Sequence, residues 1–259
     1  MKFSANLGFL WAELALPEAI AAAGAAGFDA VECHWPYDVP AEEVAAALGA
    51  AGFEMVGLNT RRGDVAAGEN GLAALPGREE EARAAIREAV EYAAAIGARN
   101  VHVMAGNASG AAAEATFIEN LRFASTLGRA AGVGILIEPL NQYDAPGYFL
   151  STTRQAEAVI AAVGAQVLRL MFDCYHVQLM EGDVMNRLTR LLPIIGHIQF
   201  AAVPDRGAPD HGELNYPWLF EQIAALGYDA PLGAEYRPGG ATAASLGWLA
   251  RARGETRGG

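Results

Sequence analysis

Short apolar runs, most of them closed by a polar or turn residue, alternate along the chain with longer alanine-rich stretches of helical spacing. The short runs read as strands at Lys2–Leu7, Ala30–Cys33, Glu54–Leu58, Asn100–Met104, Gly134–Glu138, Leu168–Asp173, His197–Ala201 and Leu232–Glu235. The stretches between them predict helices at about 15–26, 40–51, 79–97, 112–131, 152–163, 183–193, 216–226 and 241–252. Eight such units in 259 residues, about 32 residues each, predict an α/β fold. The expected architecture is a single (β/α)8 barrel over 1–252, followed by a disordered tail at 253–259. An open doubly wound sheet is the rival. No Gly-x-Gly-x-x-Gly follows the first strand, which counts against its dinucleotide-binding form.

Local punctuation agrees with these units. AAGF at 25–28 and 50–53 and ALGY at 225–228 place Gly27, Gly52 and Gly227 at helix ends. Ser151-Thr-Thr and Asn215 supply N-cap chemistry at two helix starts.

Four oxygen-bearing side chains lie at or near strand ends: Glu138, Asp173, Gln199 and Glu235. Their separations of 35, 26 and 36 residues are close to one strand–helix repeat each. In a closed parallel barrel the carboxyl ends of all strands meet at one face. Converging oxygens are costly to bury there unless a cation pairs with them. The pattern therefore predicts a metal site. Carboxylate and carboxamide oxygens are hard ligands, which suits Mg2+ or Mn2+, with Co2+ as a substitute, better than Zn2+. Glu138 and Glu235 would also move a carbon-bound proton. The competing reading is that these two acids pair with strand-end arginines.

Composition narrows the chemistry. The net charge of −12 argues against nucleic acid as a partner. No run reaches the roughly 18 uncharged apolar residues of a membrane helix. The N-terminal segment reads as a first strand rather than a signal peptide. Two cysteines, Cys33 and Cys174, fit buried free thiols in a reducing compartment, and the expected location is cytoplasmic. Lys2 is the only lysine and precedes the first strand, at the end opposite the predicted site. A Schiff-base mechanism, which needs a lysine near the active face, is thereby disfavoured.

Substrate contacts are less sharply marked. His176 follows Asp173 by three residues and should share its mouth. Asp144 is placed to bind a hydroxyl or orient His176, and His102 ends the fourth strand. His197, two residues before Gln199, lies deeper and reads as structural. The segments 59–78 and 203–216 are long for loops after barrel strands, which commonly carry substrate contacts. A substrate anion would meet Arg61, Arg62, Arg78, Arg206 or Arg237; position on the two long loops favours Arg78 and Arg206.

The segments GFDAVE at 27–32, NTRRGDVAAGENGLAALPGRE at 59–79, VHVMAG at 101–106, GHIQFAAVPDRGAPDHGELNYPWLF at 196–220 and EYRP at 235–238 together resemble the hydroxypyruvate isomerase family of the xylose isomerase-like TIM barrels. The resemblance runs from about Lys2 to Trp248. It implies a divalent-metal site at Glu138, Asp173, Gln199 and Glu235, with the two glutamates as acid/base residues. It also implies aldose–ketose isomerisation of a small hydroxy-oxo acid, either hydroxypyruvate to tartronate semialdehyde or the four-carbon 2-oxo-tetronate, and it allows a homo-oligomer. A ketose 3-epimerase acting on a free sugar is the alternative. Such epimerases usually carry histidine where this chain has Gln199, although EPLNQYD looks epimerase-like. A phosphodiesterase of the endonuclease IV type fits poorly with five histidines and a net charge of −12.

Overall fold

A computed structural model describes residues 1–254. Eight strands alternate with helices: β1 (Phe3–Asn6), α1 (Leu16–Ala25), β2 (Ala30–Glu32), α2 (Ala41–Ala51), β3 (Gly57–Asn59), α3 (Glu79–Ile96), β4 (Asn100–His102) and α4 (Gly110–Ala131). The second half continues with β5 (Gly134–Ile137), α5 (Thr153–Val163), β6 (Leu168–Asp173), α6 (Cys174–Met180), α7 (Val184–Leu191), β7 (Ile195–Phe200), α8 (Tyr216–Ala225), β8 (Leu232–Ala234) and α9 (Gly247–Ala252). All neighbouring strands pair in parallel in the order β2-β1-β8-β7-β6-β5-β4-β3. The ends of that series meet through a parallel bridge between Val31 and Met55, where Val56 N–H donates to Val31 O at 2.7 Å. The ring is thus the (β/α)8 barrel that the repeat length predicts.

Local chemistry sets the element boundaries. Thr152 caps α5 by accepting from Gln155 N–H at 3.2 Å, and Asn215 caps α8 by accepting from Trp218 N–H at 3.3 Å. Gly52, at φ 67°, closes α2 in the left-handed conformation that a side chain disfavours.

Three elements differ from the sequence reading. The third strand is shifted to Gly57–Asn59, because its expected start, Glu54–Val56, is used in closing the ring. The chain after β6 forms α6 rather than a loop: the Asp173 carboxylate accepts from Tyr175 N–H at 2.8 Å and starts a helix immediately. The helix expected at 241–252 splits into a 3-10 turn at Thr242–Ser245 and α9. Of the expected tail, Arg253 donates to Asp29 at 2.6 Å, and 255–259 lie outside the described residues.

Between the strands and the outer helices, Phe3, Phe200, Phe220 and Trp248 meet mostly edge-on, with Phe3–Trp248 centroids 5.2 Å apart. All four are buried. This aromatic cluster ties β1 and β7 to α8 and α9. Truncating one such ring costs about 3–5 kcal/mol. Lys2 lies beside Asp29, Arg99 and Asp229, at the end where the strands begin and away from the carboxyl ends. No helix among the described residues is long and apolar enough to cross a membrane.

Candidate active site

The parallel register brings the four predicted ligands to one rim. Asp173 is the last residue of β6 and pairs in register with Gln199 of β7, which in turn pairs with Gly233 of β8. Glu138 and Glu235 directly follow β5 and β8. All four side chains are buried. Carboxylate oxygens of Glu138, Asp173 and Glu235 and one ring nitrogen of His176 lie within 4.8 Å of one another.

Several polar atoms in this cluster have no hydrogen-bond partner among the described residues. They are Glu138 Oε1, Asp173 Oδ2, Gln199 Oε1, His176 Nε2 and both His102 nitrogens. Buried polar atoms are nearly always satisfied, so a group of orphans at one spot marks a place built for something else. Three carboxylates and an amide oxygen fit a hard divalent cation. His176 fits a different task. The Asn141 backbone N–H donates to its Nδ1 at 3.0 Å, so the ring proton sits on Nε2. That N–H points at the cluster, 3.8 Å from Glu138 Oε1 and 3.6 Å from Asp173 Oδ2. A protonated nitrogen is a donor, not a metal ligand.

Arg206, from the long loop after β7, is the arginine that reaches the cluster. Its guanidinium donates to Glu235 Oε2 at 2.7 Å and to Asp144 at 3.5 Å, with Asp173 Oδ2 at 3.9 Å. Phe9 and Tyr175 flank it, with ring centroids 4.9 and 5.0 Å from Cζ. Its backbone is left-handed, at φ 56°, and its carbonyl accepts from Arg237 N–H at 2.7 Å. Strain of this kind persists only where the surroundings enforce it.

The other sequence candidates divide. Asp144 accepts from Asn141 Nδ2, Tyr175 OH and Arg206, and so orients His176 through Asn141 rather than by direct contact. His102 is buried with Nδ1 3.6 Å from Glu138 Oε2. Arg78 does not reach the cluster: Glu69 and Glu81 hold its guanidinium on the outer loop. Arg237 touches the site only through its backbone, and its side chain is exposed. Arg61 is tied to Glu88, and Arg62 lies 3.9 Å over the Trp35 ring. Sequence reasoning missed Asn6, Glu32 and His34. Asn6 and Glu32 end β1 and β2 as polar residues after apolar runs, the same signal that marked Asp173. His34 follows β2 and donates to or accepts from Glu235 Oε1 at 3.0 Å.

The xylose isomerase-like TIM barrel model matches residues 20–252. The chain is 50% identical to 2-oxo-tetronate isomerase from Cupriavidus necator over 96% of its length and 97% of that protein's. It is 40% identical to hydroxypyruvate isomerase from Escherichia coli, over 96% and 98% of the two chains. This chain belongs to the hydroxypyruvate isomerase family. It is an isomerase. A solved structure titled AP endonuclease, family 2, from Brucella melitensis superposes with a TM-score of 0.93 at 39% identity, covering 96% of this chain and 98% of that one.

Electrostatics in this isomerase separate its two glutamates. Burial, then the charges of Glu235 and Asp173, push the Glu138 carboxyl well above the ordinary carboxylate range. Burial and Glu235 raise Asp173 to about 7. Burial would raise Glu235 too, but Arg206 and His34 overcome it and hold its carboxyl at about 2. Burial lowers both His102 and His176 to about 3, so both imidazoles are neutral near pH 7.

Proposed function

We propose that this isomerase uses a divalent cation to interconvert a small 2-oxo-3-hydroxy acid with its 3-oxo-2-hydroxy isomer. The three-carbon form is hydroxypyruvate and tartronate semialdehyde; the four-carbon form is 2-oxo-tetronate. The carrying observation is the buried convergence of Glu138, Asp173 and Glu235 within 4.8 Å, with orphaned acceptors, in a chain with these two relatives. Glu138, Asp173, Gln199 and Glu235 would hold the cation. Mg2+ or Mn2+ bound there would polarise the carbonyl and neutralise the charge that develops on its oxygen.

The protein's own groups supply the proton transfers. Glu235, ionised and fixed by Arg206, His34 and Asn6, removes the proton from the hydroxyl-bearing carbon and leaves an enediolate. Glu138, ionised when the cation is bound, takes the proton that the hydroxyl loses as it becomes a carbonyl and returns it to the neighbouring carbon, while the proton on Glu235 passes to the former carbonyl oxygen. His176 Nε2–H donates to a substrate oxygen. Arg206 pairs with the substrate carboxylate while Phe9 and Tyr175 keep its plane fixed.

The test is exchange of carbon-bound hydrogen with deuterated water. It would be run with Mn2+ on hydroxypyruvate, 2-oxo-tetronate and a panel of free ketoses. Metal-dependent exchange with one of the acids is expected. Exchange confined to the ketoses would move the chain to 3-epimerisation and end this reading.

A further inference from the structure

We propose that Glu32 decides which end of the Gln199 carboxamide faces the cation. The inference rests on the metal reading above. The two ends of a carboxamide are nearly identical in shape, and only the oxygen can ligate a cation. The Gln199 side chain alone does not choose between them, so its neighbours must. Its Nε2 donates to Glu32 Oε1 at 3.2 Å, which leaves Oε1 buried and without a partner among the described residues. The opposite orientation would set the amide oxygen against a carboxylate oxygen.

Glu32 is built for that task. It is 3% exposed, ends β2, and reaches across the barrel interior to β7. Its Oε2 meets His197 Nε2 at 2.6 Å, and its Oε1 also accepts from Asn6 Nδ2 at 3.2 Å. Three donors on two oxygens leave Glu32 as an acceptor toward Gln199. Asn6 extends the same constraint to a second ligand. Gly8 N–H donates to its Oδ1 at 2.9 Å, so its Nδ2 faces both Glu32 and Glu235 Oε1, the latter at 3.1 Å. The span crosses β8 at Gly233, where an added Cβ would lie 2.6 Å from Glu32 Oε1 and 2.8 Å from Gln199 Cγ. The missing side chain at 233 is what gives the carboxylate its path. Glu32 is therefore a positioning residue: it acts on the cation through Gln199.

The experiment measures the Mn2+ dissociation constant by titration calorimetry in two backgrounds. Glu32→Gln can face Gln199 with either end of its own amide, so Gln199 is free to turn. Loss of such a supporting contact weakens metal binding by about 10–100-fold, and that loss is expected here. In Gln199→Glu both side-chain oxygens can ligate, and orientation no longer matters. Adding Glu32→Gln there should leave Mn2+ affinity unchanged or raise it, since two neighbouring carboxylates become one. A role confined to barrel packing predicts the same loss in both backgrounds and would overturn the proposal. Unweakened binding by E32Q in the Gln199 background would also overturn it. If E32Q does not fold, Glu32→Asp takes its place: the acceptor stays at shorter reach, and binding should weaken only where residue 199 is glutamine. Failure of the unmodified protein to bind Mn2+ would remove the metal reading, and this proposal with it.

Discussion

Arg206 donates to Glu235 Oε2 across 2.7 Å, whereas the ion-pair partners of Glu138 among the described residues are the imidazoles of His102 and His176, at 3.6 and 3.8 Å. The two glutamates are near-equivalents along the barrel rim, yet one has a permanent cation and the other does not. In the proposed mechanism this asymmetry is the reason Glu235 is assigned as the base. Glu235→Gln should lower kcat by about 10²–10⁴-fold, the usual contribution of a positioned acid or base. Circular dichroism and thermal melting should remain those of a folded barrel. Turnover equal to that of the unmodified protein would reject the assignment.

The two arginines favoured by loop position should behave differently. Arg78 is held by Glu69 and Glu81 on a solvated loop. Its replacement by alanine should leave both the melting temperature and the kinetics alone, because exposed ion pairs contribute little. Arg206→Ala leaves buried Glu235 and part-buried Asp144 without their cation. Removing one member of a buried pair costs up to about 3–5 kcal/mol, so the variant should melt lower. It should also raise KM for the hydroxy-oxo acid. Steady-state kinetics on both variants decide the matter; a raised KM in Arg78→Ala alone would move the anion contact to the 59–78 loop.

The barrel and its four rim oxygen donors were legible because strand ends in this fold repeat and face one way. Polar Glu138, Asp173, Gln199 and Glu235 after apolar runs can point almost nowhere else. Loop residues carry no such constraint. Arg78 and Arg206 look equivalent in sequence, and only the tertiary course of 203–216 turns one of them inward. The same limit hid His34, which reaches Glu235 only because the chain bends back after β2. Asn6 and Glu32 were readable by the rule that marked Asp173. Yet β1 and β2 are remote in sequence from Glu138, Asp173, Gln199 and Glu235, and only the closed ring sets β1 beside β8.

Gly8 is the space that His34 occupies. A Cβ built on Gly8 would lie 2.1 Å from His34 Nδ1, so Gly8→Ala must displace the ring. Burial raises the Glu235 carboxyl, while Arg206 and then His34 lower it to about 2. Losing His34 therefore moves it upward, and the acidic limb of the kcat/KM profile should shift to higher pH. An acidic limb that stays in place in folded Gly8→Ala would show that His34 contributes nothing to Glu235.

Metal binding should couple to pH through Asp173. Its carboxyl is raised from 3.8 to about 7, first by burial and then by Glu235, and Glu138 moves the same way. Without a cation, the folded chain holds protons over this window that the unfolded chain has released. The associated stability is fully present below 3.8 and is lost as pH rises through about 7. Groups lowered in the fold act with the opposite sign, Glu235 between 4.5 and about 2 and His102 and His176 between 6.5 and about 3, so the slope of stability without a cation is the sum of both kinds. A divalent cation requires the carboxylates ionised, so its binding displaces those protons and tightens as pH rises. The gain in Tm on saturating with Mn2+, read against melting in chelator, should therefore widen as pH rises from 3.8 toward about 7. A gain that stays constant across that range would mean that no proton leaves Asp173 or Glu138 when the cation enters, and the carboxylates would then not be its ligands.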